Sequence, residues 1–501
     1  MSEVKRIAGN TAALVFGRGI RLLVSIVLGI VLARYLGQIH YGNWTVARSL
    51  CALLTILSSL GLSKIAIREC AVRVDEAGRY LGTVLALTAA FSLISVLVAV
   101  LLVSGLGYHA EIAWLVFIAL GVYILSSLGE AFVIQFRSRE KMGYEALSNI
   151  CKDLLLMLLV FLAVYLSWGV LRVAGIYLFA AAAYVLFSWA LARKKFPSPP
   201  LSLDLSLAPR LILGGLPLAL AIFFNSYHEV TRIIIQKTIG SAGAGYYSAA
   251  VLPYMALEST VIIAIMGAVF PVLSRRHLID RPGLASLYRR MSRYLFMLSL
   301  PVALYCLFLG DELILIMFGP DYLDAVPVLK TMGPVFILMF QNYLLYNAMV
   351  ACRKEWCFAW IMGVGALINA AAAVFFTTVL SRAGDPIVIG NSTAGVGIRL
   401  IGVTGGPIAL IIAQLFTAVA LSLVLYREYR QLLILKKWLR PFAAALLTGG
   451  LIRWEGMLDL PAGVVLASSA VFYGLLLFFL GSFDRTDQDI FMSILFTARK
   501  E

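Results

Sequence analysis

Charged residues are scarce in this 501-residue sequence, and acidic residues are the scarcer kind. Lys, Arg, Asp and Glu together make up 13% of the chain, whereas hydrophobic residues make up 61%. Soluble globular proteins contain about 25% charged residues. Only 26 Asp and Glu stand against 41 Lys and Arg, so the formal net charge is +15. This composition excludes an ordinary soluble protein and indicates an integral membrane protein.

The sequence also lacks the short motifs of several enzyme classes. It contains no GxxxxGK[ST] loop, no HExxH motif and no GxSxG motif, so an ATPase, a zinc protease and a serine hydrolase are not predicted. The six cysteines form no CxxC pair, which leaves no predicted metal centre. We predict no cofactor, and we predict a transporter rather than an enzyme.

The most prominent feature that is present is a series of about fourteen apolar segments. A helix of about 20 apolar residues crosses a hydrocarbon core about 30 Å thick. We therefore predict an all-α integral membrane protein with about fourteen transmembrane helices. The predicted spans lie near residues 11–35, 44–63, 81–103, 112–135, 147–167, 172–192, 211–236, 246–272, 294–318, 327–351, 357–380, 403–426, 440–455 and 461–481.

The basic residues lie mostly on alternate connections between these spans. The positive-inside rule explains that distribution better than a nucleic-acid partner does, so no nucleic acid is predicted. We expect a multi-pass protein of the cytoplasmic membrane with both termini in the cytoplasm. A Pro- and Ser-rich linker at 194–210 divides a six-helix N-terminal lobe, 1–193, from a six-helix C-terminal lobe, 211–430. A final helix pair and tail occupy 431–501.

Two arginines lie deep in the first predicted span. Arg18 and Arg21 are three residues apart and share one helix face. Arg21 follows Arg6 by fifteen residues, or about 22 Å of helix, which is too far for it to return to the inner surface. Because neither arginine has an acidic neighbour on its own helix, we expect both to line a cavity. Pairing with a carboxylate for packing is the alternative.

Further ionisable residues lie in other spans. Arg48 is near the outer end of the second span, where it either lines the same cavity or extends to the interface. In the seventh span, Asn225, Glu229 and Arg232 are predicted to share one face, with Glu229 and Arg232 close enough to pair. His228 either titrates near neutral pH or serves as a hydrogen-bonding group.

The remaining acidic candidates are Glu130 in the fourth span and Glu258 in the eighth. With His228 and Glu229, they are predicted to balance charge or couple transport to ions, whereas Asp153 beside Lys152 is expected at the inner interface. The predicted cavity thus contains more arginine than carboxylate. A guanidinium group stays charged and donates paired hydrogen bonds to phosphate, so we expect a diphosphate ligand in the cavity.

Several sequence blocks resemble a known family, the Wzx-type oligosaccharide flippases of the multidrug/oligosaccharidyl-lipid/polysaccharide exporter superfamily. The blocks are Ala33-Arg34-Tyr35-Leu36-Gly37, Gly245-Tyr246-Tyr247-Ser248 and Phe318-Gly319-Pro320-Asp321-Tyr322. The resemblance implies two pseudo-symmetric lobes, a central cationic cavity and transport of a prenyl-diphosphate-linked oligosaccharide. It also implies that Arg18, Arg21 and Arg232 engage the diphosphate.

From these observations we predict a flippase that works by alternating access in surface polysaccharide or glycan assembly. Its expected partners are the lipid-linked oligosaccharide, membrane lipids and the glycan polymerase or glycosyltransferase machinery. Two alternatives stay open: a membrane-embedded polymerase or lipid-linked glycosyltransferase, and a cation-coupled exporter of the same superfamily. The first would need a large outer loop, and the second would need carboxylates in the N-terminal lobe.

Overall fold

Helices make up almost all of the described structure. The computed structural model describes residues 3–70, 77–139, 141–195, 204–382, 387–389, 398–428, 435–458 and 460–482. The helices before the linker are α1 (Glu3–Ser59), α2 (Leu62–Cys70), α3 (Ala77–Gly105), α4 (Ala110–Ala131), α5 (Val133–Ser138), α6 (Met142–Tyr165) and α7 (Val170–Lys195).

The helices after the linker are more often interrupted. They are α8 (Ala208–Asn225), α9 (Tyr227–Thr238), α10 (Ser241–Leu257), α11 (Ile263–Ile279), α12 (Arg281–Phe308), α13 (Gly310–Phe318), α14 (Val326–Thr331), α15 (Gly333–Ala351), α16 (Glu355–Arg382), α17 (Gly405–Glu428), α18 (Leu435–Met457) and α19 (Ala462–Phe479). In the described residues, eleven helical segments are long and apolar enough to cross a membrane. The all-α membrane fold is confirmed, whereas the count of fourteen spans is not.

The first two predicted spans form the two arms of α1. Gly37 breaks the helix, with φ 69° and ψ 171°, a conformation that glycine adopts without the steric cost of a Cβ atom. Gly17 on the first arm approaches Ala146 near the start of α6, while Leu60 beyond the second arm approaches Gly215 near the start of α8. The two arms are therefore antiparallel, and both extend from Gly37 toward the end of the bundle where α6 and α8 begin.

The linker end of the bundle is defined by Asp204 and the starts of α3 and α8. Arg79 of α3 forms an ion pair with Asp204, and Arg210 of α8 forms one with Glu69 of α2, with an N–O distance of 2.9 Å. Hydrogen bonds from Ser206, followed by the Arg79 contact, hold the pKa of Asp204 below its usual range. These contacts attach Asp204 to α3 and the start of α8 to α2.

The opposite end of the bundle, the Gly37 end, is closed by contact between α1 and α10. A Cβ atom on Gly42 would lie 1.9 Å from the carbonyl oxygen of Ser241, and one on Gly245 would lie 2.1 Å from that of Gln38. Such distances require glycine at both positions, because any side chain would force the two backbones apart.

A second set of contacts at the Gly37 end joins α1 to α13. The Arg34 guanidinium donates to the carbonyl oxygens of Met317, at 2.8 Å, and Ile316, in the last turn of α13. The Tyr322 hydroxyl donates to the carbonyl oxygen of Ala33 at 2.8 Å. These bonds satisfy carbonyl groups that the helix ends leave without intrahelical partners.

Two local predictions require correction. The seventh predicted span breaks at Ser226, which separates α8 from α9, so Asn225 does not share a helix face with Glu229 and Arg232. The eighth predicted span is continuous and contains a π-helical turn at Glu258–Ile262. The segment after α16 contains a two-stranded antiparallel hairpin, β1 (Ile387–Ile389) and β2 (Ile398–Leu400), in which Val388 pairs with Arg399. The sequence analysis predicted no strand there.

Candidate functional site

A cavity of about 660 Å³ lies between the two arms of α1, helices α4, α6 and α7, and the facing sides of α9 and α10. We call it the α1 cavity. Apolar and aromatic side chains make up much of its wall, so charges inside it interact more strongly than they would in water. Its charged lining residues are Arg21, Arg48, Lys152, Arg232, Glu130, Asp153 and Glu229.

Arg21 lines this cavity and is paired with a carboxylate. Its Nε atom lies 3.2 Å from Asp153 Oδ2, and its Nη2 atom donates to the side-chain oxygen of Asn149. Lys152 Nζ lies 3.6 Å from the other Asp153 oxygen. Arg21 therefore pairs with a carboxylate from another helix, which was the alternative to an unpaired cavity residue, and Asp153 lies in the cavity wall rather than at the inner interface. The Arg21 side chain nevertheless stays 48% exposed, which leaves part of its guanidinium accessible from the cavity.

Arg18 lies one turn before Arg21 in α1. Its side chain falls outside the described residues. Its role in binding diphosphate therefore stays a prediction.

Arg48 projects from the second arm of α1 into the same cavity. Its guanidinium carbon lies 5.9 Å from the centre of the Trp44 ring, and its side chain is exposed to the cavity. In the described part of the chain, Arg48 forms no ion pair with a carboxylate, unlike Arg21 and Arg232. This position favours the cavity alternative over an extension to the interface.

Arg232 is held firmly in the cavity wall and is only 5% exposed. Its Nε atom donates to Ser248 Oγ at 2.8 Å, and its Nη1 atom donates to Ser49 Oγ. The same nitrogen forms an ion pair with Glu229, as the sequence spacing predicted. These bonds connect α9 to α10 and to the second arm of α1, so the position of this charge depends on the contact between those helices.

Glu130, predicted to balance charge, lines the cavity from α4. Lys152 and Arg21 are near enough to interact with it electrostatically. Among the described lining residues, four basic side chains face three carboxylates. Three of the four basic groups are arginines, so the predicted excess of arginine over carboxylate is not found among these residues, because Asp153 belongs to the cavity. Lys152 gives the basic groups an excess of one.

The other predicted residues lie elsewhere. Asn225 lines a second cavity, of about 280 Å³, formed by α8, α9, α10, α15, α16 and α17. Glu258 accepts a hydrogen bond from the Tyr343 hydroxyl on the wall of that cavity. His228 Nδ1 lies 3.1 Å from the Tyr247 hydroxyl oxygen. The predicted binding and coupling residues therefore form two groups, only one of which surrounds the α1 cavity.

Sequence reasoning missed the contribution of α6. Lys152 and Asp153 lie ten and eleven residues into an apolar helix, a depth that could have identified them as cavity residues. The predicted boundary at residue 147 placed them too near the membrane surface. Several polar and aromatic wall residues were also not predicted: Tyr41, Trp44, Thr45, Tyr123, Tyr177 and Ser248.

The residues that line this cavity lie in the part of the chain that matches a family model. Residues 7–277 match the family model described as "Polysaccharide biosynthesis protein". The chain belongs to this family. The match covers just over half of the chain and includes every charged residue that lines the α1 cavity. The family resemblance found in the sequence blocks is thereby confirmed.

A curated relative with a related description is TuaB, the teichuronic acid biosynthesis protein of Bacillus subtilis (strain 168). It is 23% identical over 280 residues, which cover 52% of this chain and 54% of that protein. The chain therefore matches about half the length of this relative.

Solved membrane transporters share the fold across nearly the whole chain. The lipid II flippase MurJ in an inward closed conformation has a TM-score of 0.68 and 13% identity, covering 94% of this chain and 98% of its own. An inward-facing MATE family multidrug transporter of the MOP superfamily has a TM-score of 0.60 and 15% identity, covering 82% and 98%. A MOP superfamily transporter from Pyrococcus furiosus has a TM-score of 0.56 and 15% identity, covering 84% and 96%. These likenesses establish the shared fold.

Proposed function

We propose that the protein moves a prenyl-diphosphate-linked oligosaccharide across the cytoplasmic membrane, with the diphosphate held in the α1 cavity. The observation that carries the proposal is Arg48, a guanidinium exposed to the α1 cavity that has no described carboxylate within ion-pair distance. A charged group within a membrane is costly and usually serves a ligand or a pathway. An anionic ligand would offset that cost.

Arg21 and Arg232 supply further donors on the same wall. Arg232 is already committed to Glu229 and two serine hydroxyls, so it would contribute mainly as a fixed charge. Arg21 is half-exposed, and a diphosphate would compete with Asp153 for its guanidinium. In this arrangement Arg48 makes the first contact, because it does not have to give up a carboxylate partner. The bidentate geometry of guanidinium suits two adjacent phosphates.

The proposed orientation places the Gly37 end outside and the linker end in the cytoplasm, as the distribution of basic residues favours. Contacts of α1 with α10 and α13 close the Gly37 end. The described conformation would then be closed to the outside. Alternating access requires those contacts to separate when the cargo leaves, while the prenyl chain stays in lipid.

A second candidate is a cation-coupled exporter with the same fold. It gains support from Glu130 and Asp153, since both carboxylates line the α1 cavity on its N-terminal side. A cation would be attracted to these groups, but four basic side chains surround them. The balance of charge therefore favours the anionic cargo.

The test is a flipping assay on the full-length protein in proteoliposomes. The probe is undecaprenyl diphosphate that carries one fluorescent sugar, and its exposure to a membrane-impermeant quencher is followed over time. Arg48→Gln should slow flipping about 10- to 100-fold, because it removes hydrogen bonds from a charged donor. Arg48→Lys should restore part of the rate.

The matched control is Arg172→Gln, which changes an exposed arginine near the start of α7 outside the cavity lining. Its rate should equal that of the wild-type protein. Full activity in Arg48→Gln would refute the diphosphate role. Export of ethidium by the wild-type protein without flipping would instead support the cation exporter.

A further inference from the structure

The second cavity differs in chemistry from the α1 cavity. We call it the tyrosine–amide cavity, after the side chains that dominate its wall. None of its described lining residues is Lys, Arg, Asp or Glu. Its polar and aromatic lining residues are Asn225, Tyr227, Tyr254, Asn342, Tyr343, Tyr346, Phe358, Gln414 and Thr417.

Two carboxamide groups in this wall donate hydrogen bonds through their nitrogen, but their oxygen accepts none from the described residues. Asn342 Nδ2 donates to the carbonyl oxygen of Gln414 at 3.0 Å, and Gln414 Nε2 donates to the Tyr254 hydroxyl at 3.3 Å. Their side-chain oxygens, Asn342 Oδ1 and Gln414 Oε1, are buried and have no hydrogen-bond partner among the described residues. Gln414 is only 5% exposed. A buried acceptor without a donor is costly, so these oxygens favour a ligand rich in hydroxyl donors.

We propose that the tyrosine–amide cavity binds one or two neutral sugar units of the glycan, an inference that rests on the proposed lipid-linked cargo. When the two carboxamide side chains turn toward the cavity, sugar hydroxyls donate to their free oxygens, while the tyrosine rings cover the apolar faces of the sugar. The volume of about 280 Å³ lies just below the usual range for small-molecule sites, about 300–1,000 Å³, and suits a small ligand. A sugar that carries a carboxylate is disfavoured, since the described lining residues include no cation to pair with it.

The position of the cavity suits the sugar end of a lipid-linked glycan. Tyr254 lines it, and the His228 ring lies 4.2 Å from the Tyr254 ring. His228 also contacts the Tyr247 hydroxyl, and the Tyr247 ring lies 6.0 Å from the Arg232 guanidinium carbon. Three buried aromatic side chains thus form a wall between the sugar site and an arginine of the α1 cavity. The two sites are neighbours, and one cargo molecule reaches both when this wall opens during the transport cycle.

The experiment measures binding of free sugars to the purified full-length protein by saturation-transfer NMR. The probes are methyl α-glucoside, N-acetylglucosamine and glucuronate at millimolar concentration. The two neutral sugars should receive saturation and glucuronate should not. Gln414→Met and Asn342→Leu should each weaken neutral-sugar binding about two- to tenfold, because each removes one hydrogen-bond acceptor.

Asn347→Leu is the matched control, since Asn347 is on α15 with Asn342 but outside the cavity lining. It should leave sugar binding unchanged. The inference is overturned if no neutral sugar binds, if glucuronate binds equally well, or if neither cavity variant weakens binding. The inference is also overturned, in favour of a cation site, if the site responds to NaCl but not to sugars. Choline chloride is the reference salt for this comparison.

Two further outcomes separate this inference from the proposed function. Sugar binding without flipping would support the site and refute the flippase, whereas flipping without sugar binding would refute the site alone. The comparison of neutral and charged sugars is made in the Arg48→Gln background, which removes the accessible guanidinium that would hold glucuronate in the α1 cavity. It needs no variant of the tyrosine–amide cavity, so it decides the question even where such a variant fails to fold.

Discussion

Replacing Gly42 by alanine should open the Gly37 end. The new Cβ atom would lie 1.9 Å from the Ser241 carbonyl oxygen, whereas carbon and oxygen normally approach to about 3.3 Å. Helices α1 and α10 would therefore have to separate by about 1.4 Å at this point. Overpacking of this kind costs about 1–3 kcal/mol.

The cost applies only in the conformation in which the two helices touch. A difference of about 1–3 kcal/mol changes the ratio of two conformations about 5- to 150-fold. Gly42→Ala should thus increase the population that is open at the Gly37 end. Gly245→Ala should act in the same direction, since its Cβ atom would lie 2.1 Å from the Gln38 carbonyl oxygen.

Pulsed electron paramagnetic resonance measures this change directly. Spin labels at His109, before α4, and at Leu323, between α13 and α14, mark opposite sides of the closed contact in a background without the native cysteines. The variant should shift the distance distribution to longer values. Gly19→Ala is the control, because a Cβ atom there meets no atom within 4 Å. An unchanged distribution in folded Gly42→Ala would show that this glycine contact does not hold the two helices together.

Two other predictions concern paired charges. Arg232→Met should lower the stability in detergent by roughly 3–5 kcal/mol, because it leaves the Glu229 carboxylate unpaired, and Arg232→Met/Glu229→Gln should recover part of the loss. Equal melting temperatures for the three proteins would contradict this. Asp204→Asn should speed tryptic cleavage after Lys195 at pH 7, where Asp204 is ionised. Because the folded pKa of Asp204 is lowered, its ion pair stabilises the linker above pH of about 4 and is lost as the pH falls through the lowered pKa. Cleavage rates that are equal in both proteins at pH 7 would refute a role for the ion pair.

Hydropathy predicted the order of the long helices well, because each membrane-crossing helix must be apolar over a fixed length. Helical spacing gave the local pair of Glu229 and Arg232, and the position of Arg21 in its span gave its place on the cavity wall. Such reasoning worked for features that depend on residues close together in the chain.

Predictions that depended on distant contacts or on local backbone breaks were less successful. The partner of Arg21 is Asp153, 132 residues away, and only the packing of α1 against α6 brings the two together. The break at Ser226 moved Asn225 to another cavity. No proline occupies that position, so a uniform helical pattern concealed the break. The β1–β2 hairpin was missed because two strands of three residues give almost no periodic signal.

The separation of Arg21 from Asp153 along the chain has a consequence for biogenesis. Translation of 132 residues takes on the order of ten seconds at about 5–20 residues per second. During that interval the first helix pair resides at the translocon with guanidinium groups that lack their eventual neighbours, at a cost of about 2.5–3.5 kcal/mol for each at mid-membrane. Nascent chains that end before α6 should therefore integrate poorly, and the earliest part of the protein depends on later helices to remain in the bilayer.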